Sequence, residues 1–316
     1  MLIQLNDNTR PGVFFALRTK IDVGPMPDPT TPERSSVNPP ACCEIGIDAL
    51  GVLADPNSSD PLRNDTSSFL FDRDLPADDW SFTLEKYSAA WLPMDSLNSS
   101  SIYCSFYDWA KYNTTKEFKG INVIWQMVLT DFGEGFYRIK AERSGLGTTV
   151  WYSEMYCLKT YTDANADGSV RFDWYLNGTQ SGVNNRKIRV DYGNINWFDS
   201  IRVRGMFGFQ TDELELTEVK YETGYLKNIK DQVIVKYLFK SGLLNYRTHE
   251  TLRYNAFLSE KLKATDYCLL NDNPEYQNIE VKYESGYAPD FLVYNKNSRV
   301  EVGFKDRYDT TGRQIC

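Results

Sequence analysis

Val219-Lys-Tyr-Glu-Thr-Gly-Tyr225 returns, changed at one position, as Val281-Lys-Tyr-Glu-Ser-Gly-Tyr287. Each copy alternates apolar and charged residues, which puts Val and Tyr on one face of a strand and Lys and Glu on the other. Each then meets a Gly and leads into a second strand-like run, Val233–Phe239 after the first copy and Arg299–Phe304 after the second. Two related strand–loop–strand units are therefore predicted. Between them Thr248 reads as an N-cap, and Glu250 sits where a helix macrodipole favours an acid. Tyr254, Phe257, Leu258 and Leu262 share one face at helical spacing, with Lys261 and Lys263 at the C-terminal end. The pattern predicts one amphipathic helix over 250–263. With strands at Asp266–Leu270, Ile279–Glu284 and Arg299–Phe304, residues 214–316 read as a small α+β domain, a sheet plus one helix.

Upstream the plan changes. All seven tryptophans fall between Trp80 and Trp197. They mark an aromatic-rich β-sandwich or barrel-like domain over 76–213. Ile121–Leu129 is a nearly continuous apolar run, as in a strand buried on both faces. Further strands are predicted at Phe136–Ala141, Thr149–Thr160, Val170–Leu176, Ile188–Tyr192 and Ile201–Phe209. Asp131–Gly135, Asp163–Gly168 and Asn177-Gly178 supply turns between them. Residues 1–75 read as an N-terminal strand and an extended arm, because eight of the 13 prolines lie in 25–61 and Pro has no N–H to give a sheet. An arm of this kind can order against a neighbouring subunit. The fold class expected is mainly β with a small α+β C-terminal part.

At 316 residues the chain is long for one core, so more than one domain is the natural expectation. A net charge of −8 argues against a surface that tracks phosphates, and Arg186-Lys-Ile-Arg189 reads as one solvated strand face. No nucleic-acid partner is expected. No run of 18 apolar residues predicts a membrane span, and the start shows neither the basic residues nor the apolar run of a secretory signal. Cys42, Cys43, Cys104, Cys157, Cys268 and Cys316 lack metal-site spacing and read as reduced thiols. Five N-x-S/T sequons, at Asn57, Asn64, Asn98, Asn113 and Asn177, read as by-products of a polar surface.

Candidate chemistry is thin. The single histidine, His249, has no Ser or Cys motif near it and reads as a surface or capping residue. Asp163-Ala-Asn-Ala-Asp-Gly168 matches the first half of a calcium loop, with Asp163, Asn165 and Asp167 at oxygen-donor positions. Trp174 stands where the loop needs a bidentate Glu, so Asx turns in a hairpin loop are the better account. Asp131-Phe-Gly133 lacks the other parts of a kinase site. Asp78-Asp79 and Glu213/Glu215 are acidic pairs of a common kind, which solvated faces explain. No catalytic, cofactor-binding or metal residue is assigned, and no enzyme is expected.

Asn196-Trp-Phe-Asp-Ser-Ile-Arg-Val-Arg-Gly-Met-Phe-Gly208 leads into the acidic Leu-rich strand and the first heptapeptide. This order resembles tail-associated structural proteins of bacteriophages of Bacteroidetes hosts, crAss-like phages included. Ala264–Asp272, Tyr276–Glu284 and Tyr294–Ser298 are similar to them as well. The resemblance covers about 195–310 and, loosely, 80–195. It implies a virion component with β-sandwich domains, assembled in the host cytoplasm into homo-oligomeric rings or collars against other tail proteins. The alternative expectation is a carbohydrate-binding module, calcium-assisted and using aromatic platforms such as Trp174.

Overall fold

The computed structural model describes residues 50–313, apart from 74–78, 89, 114–115, 145–148, 154, 177–196, 221–225, 246–247, 250–251, 258, 260, 269–275, 289–296 and 308–309. The protein is mainly β, as its alternating patterns predict. The first half comprises β1 (Leu50–Ala54), β2 (Thr66–Arg73), β3 (Asp79–Tyr87), β4 (Trp91–Leu97), β5 (Cys104–Asn113), β6 (Lys116–Ile124), α1 (Trp125–Phe132), β7 (Gly135–Ser144), β8 (Thr149–Tyr152) and β9 (Tyr156–Thr160). One sheet runs β1-β9-β7-β3-β4, with β8 also on β7, and a three-stranded sheet runs β2-β6-β5. Phe82, Leu84, Ile139 and Leu158 of the first sheet meet Ile121 and Val123 of the second across one core. This is a β-sandwich.

Two expectations are corrected here. The apolar run Ile121–Leu129 is a strand only to Ile124. Ile121 and Val123 are buried at period 2, then Trp125, Val128 and Leu129 at helical spacing, so an unbroken apolar run concealed a change of period. The Pro-rich arm predicted over 25–61 is interrupted by structure from Leu50 onward. Val52, Leu53 and Ala54 are buried, and β1 pairs in parallel with β9. Pro61–Arg63 is a 3-10 turn capped by the Asp60 side chain, with Pro at its first position, where the missing N–H costs nothing. The N-terminal strand and the rest of the arm, residues 1–49, lie outside the described residues.

The second half contains α2 (Asp163–Ala166), β10 (Ser169–Leu176), β11 (Trp197–Lys220), β12 (Leu226–Ser241), β13 (Leu244–Asn245), a π-helical turn (Leu252–Ala256), β14 (Lys261–Asp266), β15 (Ile279–Ser285), β16 (Asn297–Ser298), β17 (Glu301–Asp306) and β18 (Thr310–Arg313). The order β11-β10-β14-β15-β17-β12 closes because β12 pairs β11 again, and every pairing is antiparallel. The result is a six-stranded barrel, small enough for side chains to fill. β18 adds to β12 outside it, and β13 pairs β16 separately.

Alternation sorts the barrel's residues. Val170, Phe172 and Trp174 of β10 point inward with Ile201, Val203, Phe239, Leu262, Ala264, Val302 and Phe304. The second heptapeptide obeys the same rule: Val281 and Tyr283 join this core, and Lys282 and Glu284 are exposed. Its Gly286 has φ +95°, and a Cβ there would sit 3.1 Å from the Glu301 carbonyl oxygen. Val219 and Lys220 of the first copy end β11, and residues 221–225 lie outside the described residues.

The helix predicted over 250–263 is corrected. Among the described residues Thr248, His249 and Leu252–Ala256 are helical, and the correction falls on the C-terminal part, where Lys261–Asp266 is a strand. Lys261-Leu-Lys-Ala264 alternates at period 2, and Leu262 and Ala264 face the barrel core. Phe257, just past the turn, plugs the same core against Phe172 (ring centroids 5.2 Å) and Phe304 (5.0 Å). Of that predicted face, Phe257 and Leu262 meet in this core, one following the helical segment and the other on a strand. The boundary expected at 213/214 falls inside the unbroken strand β11, and β10, placed by sequence with the tryptophan-rich segment, is a barrel strand. Trp125 thus sits in the sandwich core and Trp174 in the barrel.

These two buried indoles differ. Trp125 Nε1 donates to Ser67 Oγ at 2.9 Å, while Trp174 Nε1 has no hydrogen-bond partner among the described residues. Trp125→Phe strands a buried hydroxyl, whereas Trp174→Phe removes a group already without a partner. Trp125→Phe should therefore be the more destabilising by about 1–2 kcal/mol in urea unfolding. Equal losses would contradict the difference in hydrogen bonding.

Candidate functional site

Where sandwich meets barrel, the outward residues of β10 and β11 are polar and buried. Arg171 and Arg202 are Cα partners in register, an arrangement that repels by itself. Asp65, at the end of the loop after β1, resolves it. It takes Arg202 Nε and Nη2, each at 2.9 Å, and Arg171 Nη1 at 3.3 Å, and it accepts Leu53 N–H at 2.8 Å. Arg171 Nε also donates to Asp173 at 2.7 Å, and its Nη1 donates to the Pro61 carbonyl at 2.6 Å. Tyr267 lies under Arg202 at 4.2 Å and donates its hydroxyl to the Leu62 carbonyl at 2.5 Å. Burial alone would raise the Asp65 carboxyl, but the two guanidiniums outweigh it and hold the group below its ordinary 3.8. Burial pushes Asp173 up despite Arg171. Two positive and two negative side chains close on one another and on backbone. This neutral seam locks the sandwich to the barrel.

Next to it, Ser68 N–H and Ser200 N–H donate to Asp199 Oδ1 at 3.2 and 2.9 Å, and Ser68 Oγ donates to the Phe198 carbonyl at 2.7 Å. Ser67 faces the sandwich core and Ser68 the barrel, the alternation of one strand serving both sides.

The sequence candidates scatter. His249 is 2 % exposed, which corrects its placing at the surface. Its Nε2 lies 3.1 Å from the Ser298 carbonyl, which can only accept, so Nε2 carries the proton; Nδ1 faces the Tyr287 hydroxyl at 2.8 Å. Burial lowers its basicity below the ordinary 6.5. With the folded value depressed, the stabilisation is complete above pH 6.5 and is lost as pH falls through the lower folded value. The melting temperature should drop on acidification below pH 6.5, and His249→Gln should flatten that fall. An unchanged profile would exclude His249 as its source.

Asp163–Ala166 is one helical turn capped by Thr162, joining β9 of the sandwich to β10 of the barrel, which corrects the hairpin loop. Asn165 Nδ2 donates to the Thr160 carbonyl at 2.8 Å, while Asp163 and Asp167 are exposed. Among the described residues no cluster of three or more His, Cys, Asp or Glu is placed to hold a metal ion. Trp174, fully buried, offers a sugar no platform. Arg138 lies between Trp91 (4.2 Å) and Tyr152 (3.9 Å) and covers one face of each ring. Asp131 accepts the Tyr103 hydroxyl at 2.8 Å, and Gly133 ends α1, so this motif closes a helix. Asp79 begins β3, and Asp78 and Arg186–Arg189 lie outside the described residues. Burial pushes the Cys104 thiol up to about 11, away from nucleophilic use. Cys104 and Cys268 are free thiols, whereas Cys157 is disulfide-bonded, which corrects the expectation of a reduced thiol at Cys157.

Glu213 and Glu215 fall on the feature that stands out. β11 is 24 residues long and β12 is 16, and their pairing runs from Gly205↔Ser241 to Lys220↔Leu226. β10 leaves β11 at Arg204, and β17 pairs β12 only from Lys236. At Gly205, where β11 exchanges partners, a Cβ would meet the Lys240 carbonyl oxygen at 2.5 Å, so only glycine fits. From there the hairpin continues beyond the barrel. Residues 211–220 span about 33 Å at strand rise. β18 flanks β12 at Asp231 and Val233, so one edge of the hairpin is covered by the chain's own C-terminal strand. On the other side, among the described residues, β12 is the one strand paired with β11 beyond Arg204. Bulges at Phe209/Thr211 and Thr217/Glu218 add local twist.

No known protein-family model matches the chain, and no curated protein matches it. Among the described residues no helix is long and apolar enough to cross a membrane.

Proposed function

We propose that this protein is a non-enzymatic structural or adaptor component of a bacteriophage tail, of ring, collar or hub type, acting by homo-oligomeric assembly and contact with neighbouring virion proteins. The β11–β12 hairpin carries the proposal. Two β bodies are locked together by a buried ionic seam, and a strand pair projects from one of them. A strand pair that outruns its barrel brings main-chain groups within reach of a neighbouring subunit, which is a liability for a monomer and a joint for an assembly. The kinship suggested by 195–310 supplies the setting, a virion, and that region contains the hairpin.

Purified full-length protein should form a closed oligomer by mass photometry and a ring in electron micrographs. The protein should also be present in virions. A strict monomer that is absent from particles would overturn the proposal.

A further inference from the structure

We infer that the outer face of the barrel over β14, β15, β17 and the barrel part of β12 is a basic docking face, and that its occupant is the acidic stretch 211–220 of a second copy of this chain. The inference rests on the assembly proposed above and names its joint. Tyr237, Leu262, Val281 and Phe304 line the core, so alternation turns the charged residues between them outward. With Arg307 just past β17, the outward set from Lys236 onward holds seven bases and three acids. Each acid is engaged: Glu284 meets Lys236 at 3.3 Å, Glu301 meets Lys240 at 3.3 Å, and Glu280 meets Lys261 at 3.5 Å and Arg307 at 3.1 Å. Lys263, Lys282 and Lys305 complete the bases, and among the described residues no acid pairs with them. The face thus carries +4 on a chain of net −8, and the residues outside it, −8 less this +4, carry −12.

A merely solvated face does not account for this arrangement. Lys236, Lys305 and Lys282 are Cα partners in one row across β12, β17 and β15. Like charges directly opposite one another destabilise a sheet, a cost that incoming carboxylates would offset. Lysines also guard exposed sheet edges, but β15 and β17 are paired on both sides and have no edge to guard. Glutamates set among the lysines disfavour a continuous run of phosphates, so a protein with carboxylates at fixed positions is the better fit. The chain itself supplies one. Residues 211–220 hold Asp212, Glu213, Glu215 and Glu218 against Lys220 alone, on the part of β11 that runs past the barrel. Glu213 and Glu215 stand about 6.7 Å apart along their strand, and Lys305 and Lys282 stand on neighbouring strands about 4.8 Å apart, a difference that flexible lysine stems take up. Two acidic stretches repel each other, as do two basic faces. The contact therefore joins unlike surfaces head to tail, the kind of interface that closes into a ring.

The test is mass photometry over a range of protein and salt concentrations, on the full chain and on three variants. One variant carries Lys282→Glu with Lys305→Glu, one carries Glu213→Lys with Glu215→Lys, and one carries all four changes. The full chain should be oligomeric at an ionic strength of about 0.1 M and dissociate towards about 1 M, as the Debye length shrinks from about 10 Å to about 3 Å. Each two-charge variant should weaken assembly about 100-fold. The four-charge variant should restore it, which a folding defect would not do. An oligomer indifferent to the lysine reversal would overturn this joint and leave the assembly proposal standing. Dissociation by the lysine reversal without rescue by the four-charge variant would overturn 211–220 as the occupant. A full chain that is monomeric at every concentration would overturn the assembly proposal, and this joint with it.

Discussion

Asp65→Asn should cost roughly 3–5 kcal/mol of folding stability, although it changes a single atom type. Asp65 is 4 % exposed and is the carboxylate that Arg171 and Arg202 share. An amide cannot neutralise two guanidiniums that are partners in register, and Asp173 reaches only Arg171. The variant leaves a buried positive charge uncompensated, the costliest way to break a buried pair. Urea unfolding followed by circular dichroism and by tryptophan fluorescence would measure it. Because the seam joins two cores, the two probes should also separate in the variant. The acid limb should change as well. The Asp65 carboxyl is held below 3.8, so its contribution is complete above that pH and is lost as pH falls through the lower folded value. Asp65→Asn should flatten that limb. A loss below about 1 kcal/mol would mean that the seam is solvated and contributes as a surface pair does.

Phe172→Ala should cost a similar amount by an unrelated route, roughly 3–5 kcal/mol from lost burial and the cavity left behind. Phe172 is fully buried at the centre of the barrel, with ring centroids of Phe239, Phe257 and Phe304 at 4.9, 5.2 and 6.0 Å. Phe257 plugs the barrel beside it, so the surroundings have little freedom to collapse. The midpoint of urea unfolding should fall with little change of slope, and Phe172→Leu should recover most of the loss. If Phe172→Ala were mild, the barrel core would be adaptable. The two substitutions act on opposite faces of β10: Asp65 binds Arg171 outside the barrel, and Phe172 fills its core. Together they would exceed the margin of about 5–15 kcal/mol by which domains are stable, or come close to it.

Much of the fold was legible because it rests on period 2. The second heptapeptide is the strand its pattern describes, with Val281 and Tyr283 inward and Lys282 outward. Val170–Leu176 and Phe136–Ala141 fall within β10 and β7. The misreadings arose where two periods overlap. Tyr254, Phe257, Leu258 and Leu262 fit a helical face, while Lys261-Leu-Lys-Ala264 fits a strand, and local pattern cannot choose between them. Ile121–Leu129 is apolar throughout and so carries no period at all. His249 read as a surface residue because burial of a single polar side chain depends on distant Tyr287 and Ser298.

The long β11–β12 hairpin was only half visible. Glu213 and Glu215 stood out as an acidic pair, but nothing local shows that β10 leaves β11 at Arg204 while β12 continues to Lys220. By itself the sequence determined which residues alternate, and hence that this is a β protein with Val, Phe and Trp inside. Tertiary structure alone decided that the strands close into a barrel, that Asp65 meets Arg202 across 137 residues of chain, and that one strand outruns its neighbours. The reason is physical. Alternation is a property of consecutive residues, whereas closure, charge pairing and stagger depend on which distant strands become neighbours.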